Sequence, residues 1–260
     1  MENNESMRQT NYTVAEGYEL PSKGLIYGDK KVSSHVELRS MTAKDEMKRL
    51  NPSSTPFKNL ADIIEGCMIE KPAIHVYDMA LGDYEFLLHR LRVVTYGPNY
   101  KTSVTCPYCG ATTETTCSLD DLEVKEFDFD KFEELRTFTL PNCGRTVTIR
   151  FQTPHTMDEI EAKTKEMKRK YKDATTDFHD LILLTYMIEA VDGEPKQKSE
   201  LEGFINKLPA ADFMKIINNI NKLNNCIGIK NEFYVTCDEC ESEIKTFFRF
   251  GQEFFRPSDI

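Results

Sequence analysis

Apolar and polar positions alternate over Val36-Glu37-Leu38-Arg39, the period-two pattern of a half-buried strand. The rhythm then lengthens. Thr42 followed by Asp45 makes a capping-box pattern, which predicts a helix through about Leu50. After a proline-bounded loop from Pro52 to Pro56, Leu60, Ile63, Ile64 and Cys67 fall on one helical stripe. Phe86, Leu87, Leu91 and Val94 fall on another, in a helix capped by Asp83. That helix is predicted to stop at Tyr96-Gly97-Pro98, where a glycine and then a proline oppose its continuation.

The same series returns downstream. Leu140-Pro141-Asn142-Cys143-Gly144 repeats the turn Leu20-Pro21-Ser22-Lys23-Gly24, and Val147-Thr148-Ile149-Arg150 repeats the strand that ends in arginine. Thr156-Met157-Asp158-Glu159 repeats the helix opening, Leu181 to Val191 predicts an apolar helix, and Asp212 to Leu223 predicts the last one. The offset is 120 at the turn, 111 at the arginine, 114 at the helix opening and 131 at the cysteines described below. Landmarks kept in one order point to internal duplication, with the shifting offset absorbed by links and helix lengths. The expected fold class is α+β: two tandem, duplicated, mainly helical repeats with short strands, joined by zinc-knuckle or ribbon elements. Residues 1–19 are expected to be a flexible N-terminal arm, 20–135 the first repeat with one knuckle, and 136–260 the second repeat with another.

Two cysteine pairs keep their place in both halves. Cys106-Pro107-Tyr108-Cys109 lies nine residues after Gly97, and Cys237-Asp238-Glu239-Cys240 lies nine after Gly228. Thiols three positions apart at a tight turn grip one metal ion, and two such pairs supply a tetrahedral sulfur site. A shared site on Cys106, Cys109, Cys237 and Cys240 would pin the halves together across an approximate twofold. Two other readings stand beside it: turn thiols without metal, or separate sites completed by Cys117 or Cys143. Zinc is the more frequent occupant of four thiolates, and iron uses the same donors.

Composition narrows the function. The 260 residues carry a formal charge of -10, a field that repels phosphate, so nucleic acid is not the expected partner. No apolar run approaches the roughly 18 to 20 residues that span a bilayer. The N-terminus is polar and no secretory signal is expected, so eight cysteines suit a reducing compartment and metal or buried thiols. The five histidines are scattered and join no nucleophile motif, and neither a phosphate loop nor a dinucleotide fingerprint occurs. A four-thiolate site leaves no open coordination position, so its value is folding energy and no enzyme is expected.

Three stretches are candidates for contact surfaces. The acid-rich run from Asp120 to Glu134, interleaved with Phe127, Phe129 and Phe132, reads as a strand and helix start bridging the repeats. Asp158 to Lys172 reads as a basic amphipathic helix packed on its own domain, with partner binding as the sharper reading. The aromatic cluster Phe247, Phe248, Phe250, Phe254 and Phe255 precedes Arg256-Pro257; a strand pair after the knuckle would bury several of these rings, and aromatic surface beyond what one small knuckle covers would mark a docking edge. Phe254, Phe255 and Arg256 are therefore candidate partner-binding residues.

A family resemblance emerges from these motifs. The Leu20–Gly24 turn with Tyr27, the helix ending Arg92-Val93-Val94-Thr95-Tyr96-Gly97, the Cys-Pro-Tyr-Cys-Gly knuckle and Phe254-Phe255-Arg256-Pro257 together resemble the T4-type baseplate hub proteins of contractile-tailed bacteriophages. The resemblance runs from about residue 18 to the end. It implies a non-enzymatic part in building the central hub of the tail baseplate, as virion component or assembly factor. Implied partners are other tail and hub proteins, the tape-measure protein among them, or further copies of the chain. The implied location is the host cytoplasm during assembly, or the virion tail baseplate. A zinc-ribbon nucleic-acid-binding or transcription-associated protein is the alternative, since Lys101, Lys230 and Lys245 flank the knuckles.

Overall fold

The computed structural model of the chain describes residues 13–125, 127–171, 178–248 and 252–255. Strands β1 (Ala15–Glu19) and β2 (His35–Arg39) pair antiparallel, with Ala15 opposite Arg39 and Glu19 opposite His35. Residues 15–19 are thus part of a sheet, which corrects the expectation of a flexible arm there, and residues 1–12 lie outside the described residues. Helix α1 (Ala43–Leu50) opens on the expected Thr42–Asp45 capping box. Helix α2 (Pro56–Cys67) carries the buried stripe of Leu60, Ile63, Ile64 and Cys67. Helix α3 (Leu81–Tyr96) is buried on nearly all sides and stops at Gly97, whose φ of 81° is a left-handed value. A helix enclosed on nearly every face belongs at the centre of a core, and Leu87, Leu88 and Leu91 are each fully enclosed there. Each contributes about 2 kcal/mol by burial.

The chain then leaves this core. After strands β3 (Asn99–Thr105), β4 (Thr112–Ser118) and β5 (Val124–Lys125) comes helix α4 (Phe129–Arg136). Strands β6 (Thr137–Thr139) and β7 (Thr146–Ile149) lead to helix α5 (Pro154–Lys170). Helix α5 starts earlier than expected, because the capping box is Thr153 with Thr156 and Pro154 occupies the first turn. Helix α6 (His179–Met187) then gives way to strand β8 (Ile188–Val191), so the expected single helix over Leu181 to Val191 is corrected. The alternation of Ile188-Glu189-Ala190-Val191 suits a strand, and Asp192 and Gly193 at φ 53° and 77° close a tight hairpin onto β9 (Glu194–Pro195). The sheet order is β6-β7-β8-β9. Helices α7 (Lys198–Ile205) and α8 (Ala210–Asn224) complete a second core around Leu140, Val147, Leu184, Ile216 and Ile220.

Strand β10 (Gly228–Ile229) returns to pair with β5, Gly228 opposite Lys125. Strands β11 (Glu232–Thr236) and β12 (Glu243–Phe247) follow as a hairpin. Ile229, Phe248, Phe254 and Phe255 pack into the first core with Leu38 and Leu91. Core membership therefore divides the chain differently from a cut between 135 and 136: the second core draws on residues from Phe127 to Cys226, inside a first core that resumes after it.

Two buried aspartates organise the two Leu-Pro turns. Asp83, expected to cap α3, sits in its first turn, while Ala80 holds the cap position. Its carboxylate accepts from Ser22 N at 3.0 Å, Ser22 Oγ at 2.5 Å and Tyr27 Oη at 2.6 Å. Asp212 occupies the third position of α8, as Asp83 does of α3, and accepts from Asn142 N at 3.0 Å and Cys143 N at 2.9 Å. Leu38 bridges Met68 in the first half as Ile149 faces Ile188 in the second.

Candidate metal centre

Two hairpins carry the cysteines. In the β3–β4 hairpin Asn99 faces Ser118 and Thr105 faces Thr112, which leaves Cys106 to Ala111 as the turn. In the β11–β12 hairpin Thr236 faces Glu243, and the turn runs from Cys237 to Ser242. The turns are built alike. Cys106 N donates to Ala111 O at 2.7 Å and Gly110 N to Cys106 O at 3.0 Å. Cys237 N donates to Ser242 O at 3.0 Å and Glu241 N to Cys237 O at 3.0 Å. Gly110 and Glu241 take the same left-handed position, with φ of 78° and 57°. Asp238 N reaches across to Thr113 Oγ1 at 3.2 Å and joins one hairpin to the other.

All four sulfurs lie within 4.8 Å of one another. Cys106 Sγ is 3.6 Å from Cys240 Sγ, and Cys109 Sγ is 3.6 Å from Cys237 Sγ. A zinc–sulfur bond of about 2.3 Å puts the edges of its tetrahedron at about 3.8 Å, close to this spacing and far beyond a disulfide bond. Cys106 and Cys237 are buried against Val104, Val235 and Ile244, while Cys109 and Cys240 are exposed. Four thiols at this spacing cannot all ionise without a cation. Cys240 is drawn down to about 6 by the Ser242 side chain and backbone. Cys109 is pushed up to about 12, although the Ala111 backbone favours its thiolate, as desolvation and the other three thiols oppose it. A bound cation would draw all four to thiolate, and the donor set fits a closed, structural centre.

The other cysteines stand apart from this cluster. Cys117 is half-buried and donates to Tyr100 O at 3.4 Å. Cys143 is exposed in the turn held by Asp212, and Cys67 is buried in the first core. The cluster found among the described residues contains neither Cys117 nor Cys143. Sequence reasoning missed Thr113 and Ser242, whose side chains support the turns. Ser242 follows Cys240 by two residues, a local signal that was readable, whereas Thr113 acts across hairpins.

The partner-binding expectation is corrected for the terminal aromatics. Phe254 and Phe255 are each only 1% exposed, because the short helical turn Gln252–Phe255 packs into the first core. Arg92 is also fully buried and fixes this segment, its Nε donating to Phe254 O at 3.2 Å and its Nη1 to Gly97 O at 2.6 Å. Its guanidinium lies 5.3 Å from the Tyr100 ring centroid. A ring enclosed in this way offers a partner no surface. Arg256 lies outside the described residues.

The model of a family described as T4 bacteriophage base plate protein matches residues 18–256. The chain belongs to that family. Neither the curated proteins nor the solved structures give a match. The match takes in both cysteine hairpins of this base plate protein and both of its cores. Among its described residues no helix is long and apolar enough to cross a membrane.

Proposed function

We propose that this chain is a non-enzymatic structural or assembly component of the central hub of a contractile phage tail baseplate. One structural zinc ion on Cys106, Cys109, Cys237 and Cys240 ties its two cysteine hairpins together. The family match over residues 18–256 carries the reading. The sulfur spacing supports the metal, and a closed four-thiolate shell suits a structural part better than a catalytic one. Tandem duplication of an ancestral half accounts for the matching roles of Asp83 and Asp212. Both capping boxes also follow their strand arginine by three residues, Arg39 to Thr42 and Arg150 to Thr153. Partners are other tail and hub proteins. A nucleic-acid role draws no support from the knuckles: Lys230 pairs with Glu123 at 3.5 Å and Lys245 with Glu232 at 2.5 Å.

Two measurements test this. Mass spectrometry of purified baseplates and their assembly intermediates should find the chain with other hub proteins, and its absence from both would sink the hub reading. Elemental analysis should give one zinc per chain, lost equally in Cys106→Ser and Cys237→Ser. Zinc that survives either substitution would refute the shared centre.

A further inference from the structure

A cleft of about 610 Å³ opens between the two cores, where the segment following the first Leu-Pro turn faces α4 and the link from β7 to α5. Two large apolar side chains on its lining stand in solvent, Leu25 at 61% and Phe129 at 55% exposure. Its cations are Arg136, Arg150 and Lys30.

Arg150 is set apart by comparison with Arg39. Arg39 ends β2, and its Nη1 donates to Asp45 Oδ2 at 2.9 Å and its Nη2 to Gly66 O at 2.8 Å. Arg150 directly follows β7 and precedes the matching capping box. There the position of Asp45 is taken by Thr156, whose hydroxyl closes the box without supplying a carboxylate. The exposed Arg150 guanidinium makes no hydrogen bond or ion pair among the described residues. The acids of the cleft are already engaged. Glu189 and Glu133 lie 3.2 and 3.9 Å from Arg136, and Asp78 lies 2.9 Å from His155.

We propose that this cleft docks a partner polypeptide that presents a carboxylate side chain beside an apolar one, with Arg150 taking the carboxylate. The planar guanidinium fork matches a carboxylate with two parallel hydrogen bonds. Leu25 and Phe129 supply the apolar walls, and exposed apolar side chains grouped beside polar ones mark contact surfaces. The surrounding Glu133, Glu189 and Asp78 tolerate one carboxylate that Arg150 neutralises, but they repel the continuous negative charge of a nucleic-acid backbone. The inference names the chemistry of a partner and depends on neither the hub reading nor the metal.

The test is an NMR titration of the full chain with the tripeptide acetyl-Leu-Asp-Phe-amide. Saturable shifts at Leu25, Phe129 and Arg150 are expected, with acetyl-Leu-Asn-Phe-amide binding at least about tenfold more weakly. Arg150→Gln should reduce the aspartate peptide to the level of the asparagine peptide. Arg90→Gln, which alters a cation paired with Asp120 elsewhere, should leave the affinity unchanged. Equal binding of the two peptides, no saturable shift at the cleft, or an unaffected Arg150→Gln variant would overturn the proposal. So would tighter binding of a thymidine oligonucleotide there, or a dimer in sedimentation that Arg150→Gln dissolves, since the occupant would then be nucleic acid or a second copy.

Discussion

Removing the proposed zinc should unfold the two cysteine hairpins and little else. Their shared core is small: besides the sulfurs it buries Val104, Val235 and Ile244. Three aliphatic side chains contribute about 6 kcal/mol together. Against that stands the cost of ordering strands β3, β4, β11 and β12, at about 1 to 2 kcal/mol per residue before hydrogen bonding is counted. The strands number 7, 7, 5 and 5 residues, too many for so small a core to hold without help. A zinc centre contributes on the order of 10 kcal/mol in small modules, more than the three aliphatic side chains supply together. The assay is hydrogen exchange on zinc-loaded protein, on chelated protein and on Cys237→Ser. Amides of Val104, Thr113, Val235 and Ile244 should lose protection by at least about a thousandfold, or about 4 kcal/mol. Amides of α3 around Leu87 and of α8 around Ile220 should keep theirs. Hairpin protection that survives both chelation and Cys237→Ser would refute the reasoning, because the apolar contacts alone would then suffice.

Further outcomes follow from single residues. Gly228→Ala should cost about 3 kcal/mol or more in denaturant unfolding, since φ is +102° and a Cβ would meet Gly82 Cα at 2.9 Å. Gly97→Ala, also at positive φ but with open space, should cost about 1 kcal/mol, and equal costs would refute the steric account. Phe254→Ala should destabilise by about 3 to 5 kcal/mol, and a loss below about 1 kcal/mol would return Phe254 to the surface. His89, fully buried, has its pKa lowered from 6.5 to about 3 by desolvation first and then by Arg90. Only the unfolded chain takes up a proton as pH falls from 6.5 towards 3, so stability is complete above that window and declines within it. About 2 kcal/mol should be lost between neutral pH and pH 5, and a His89→Gln variant with an undiminished pH slope would exclude His89 as its source.

What the sequence made legible was local. The Thr42–Asp45 box, the Gly97 stop and the two knuckle turns are each specified within about six residues, and each formed where its chemistry pointed. Clustering of the distant cysteine turns was readable only through the matching place of the two pairs in the sequence. Ile188 to Val191 was misread because a short apolar run suits helix and strand alike, and its pairing with β7 decides between them. Phe254 and Phe255 were misread for a similar reason. Aromatic density signals burial and docking equally, and the cover supplied by α3 and Arg92 lies 162 residues away from Phe254. Asp83 looked like a helix cap and Asp212 like a helix start, yet their partners are turn amides 61 and 70 residues upstream.

The pairing of β5 with β10 brings the chain's exit from the first core beside its re-entry. A ribosome making this protein therefore completes the later-numbered core earlier. Once residue 226 has emerged, every segment of the second core is present, but the first core still lacks Ile229, Phe248, Phe254 and Phe255. Arg92 meanwhile waits for the carbonyl of Phe254. The N-terminal residues, though synthesised first, are the last to be sealed, so nascent chains stalled before residue 254 should carry a finished middle on an open base.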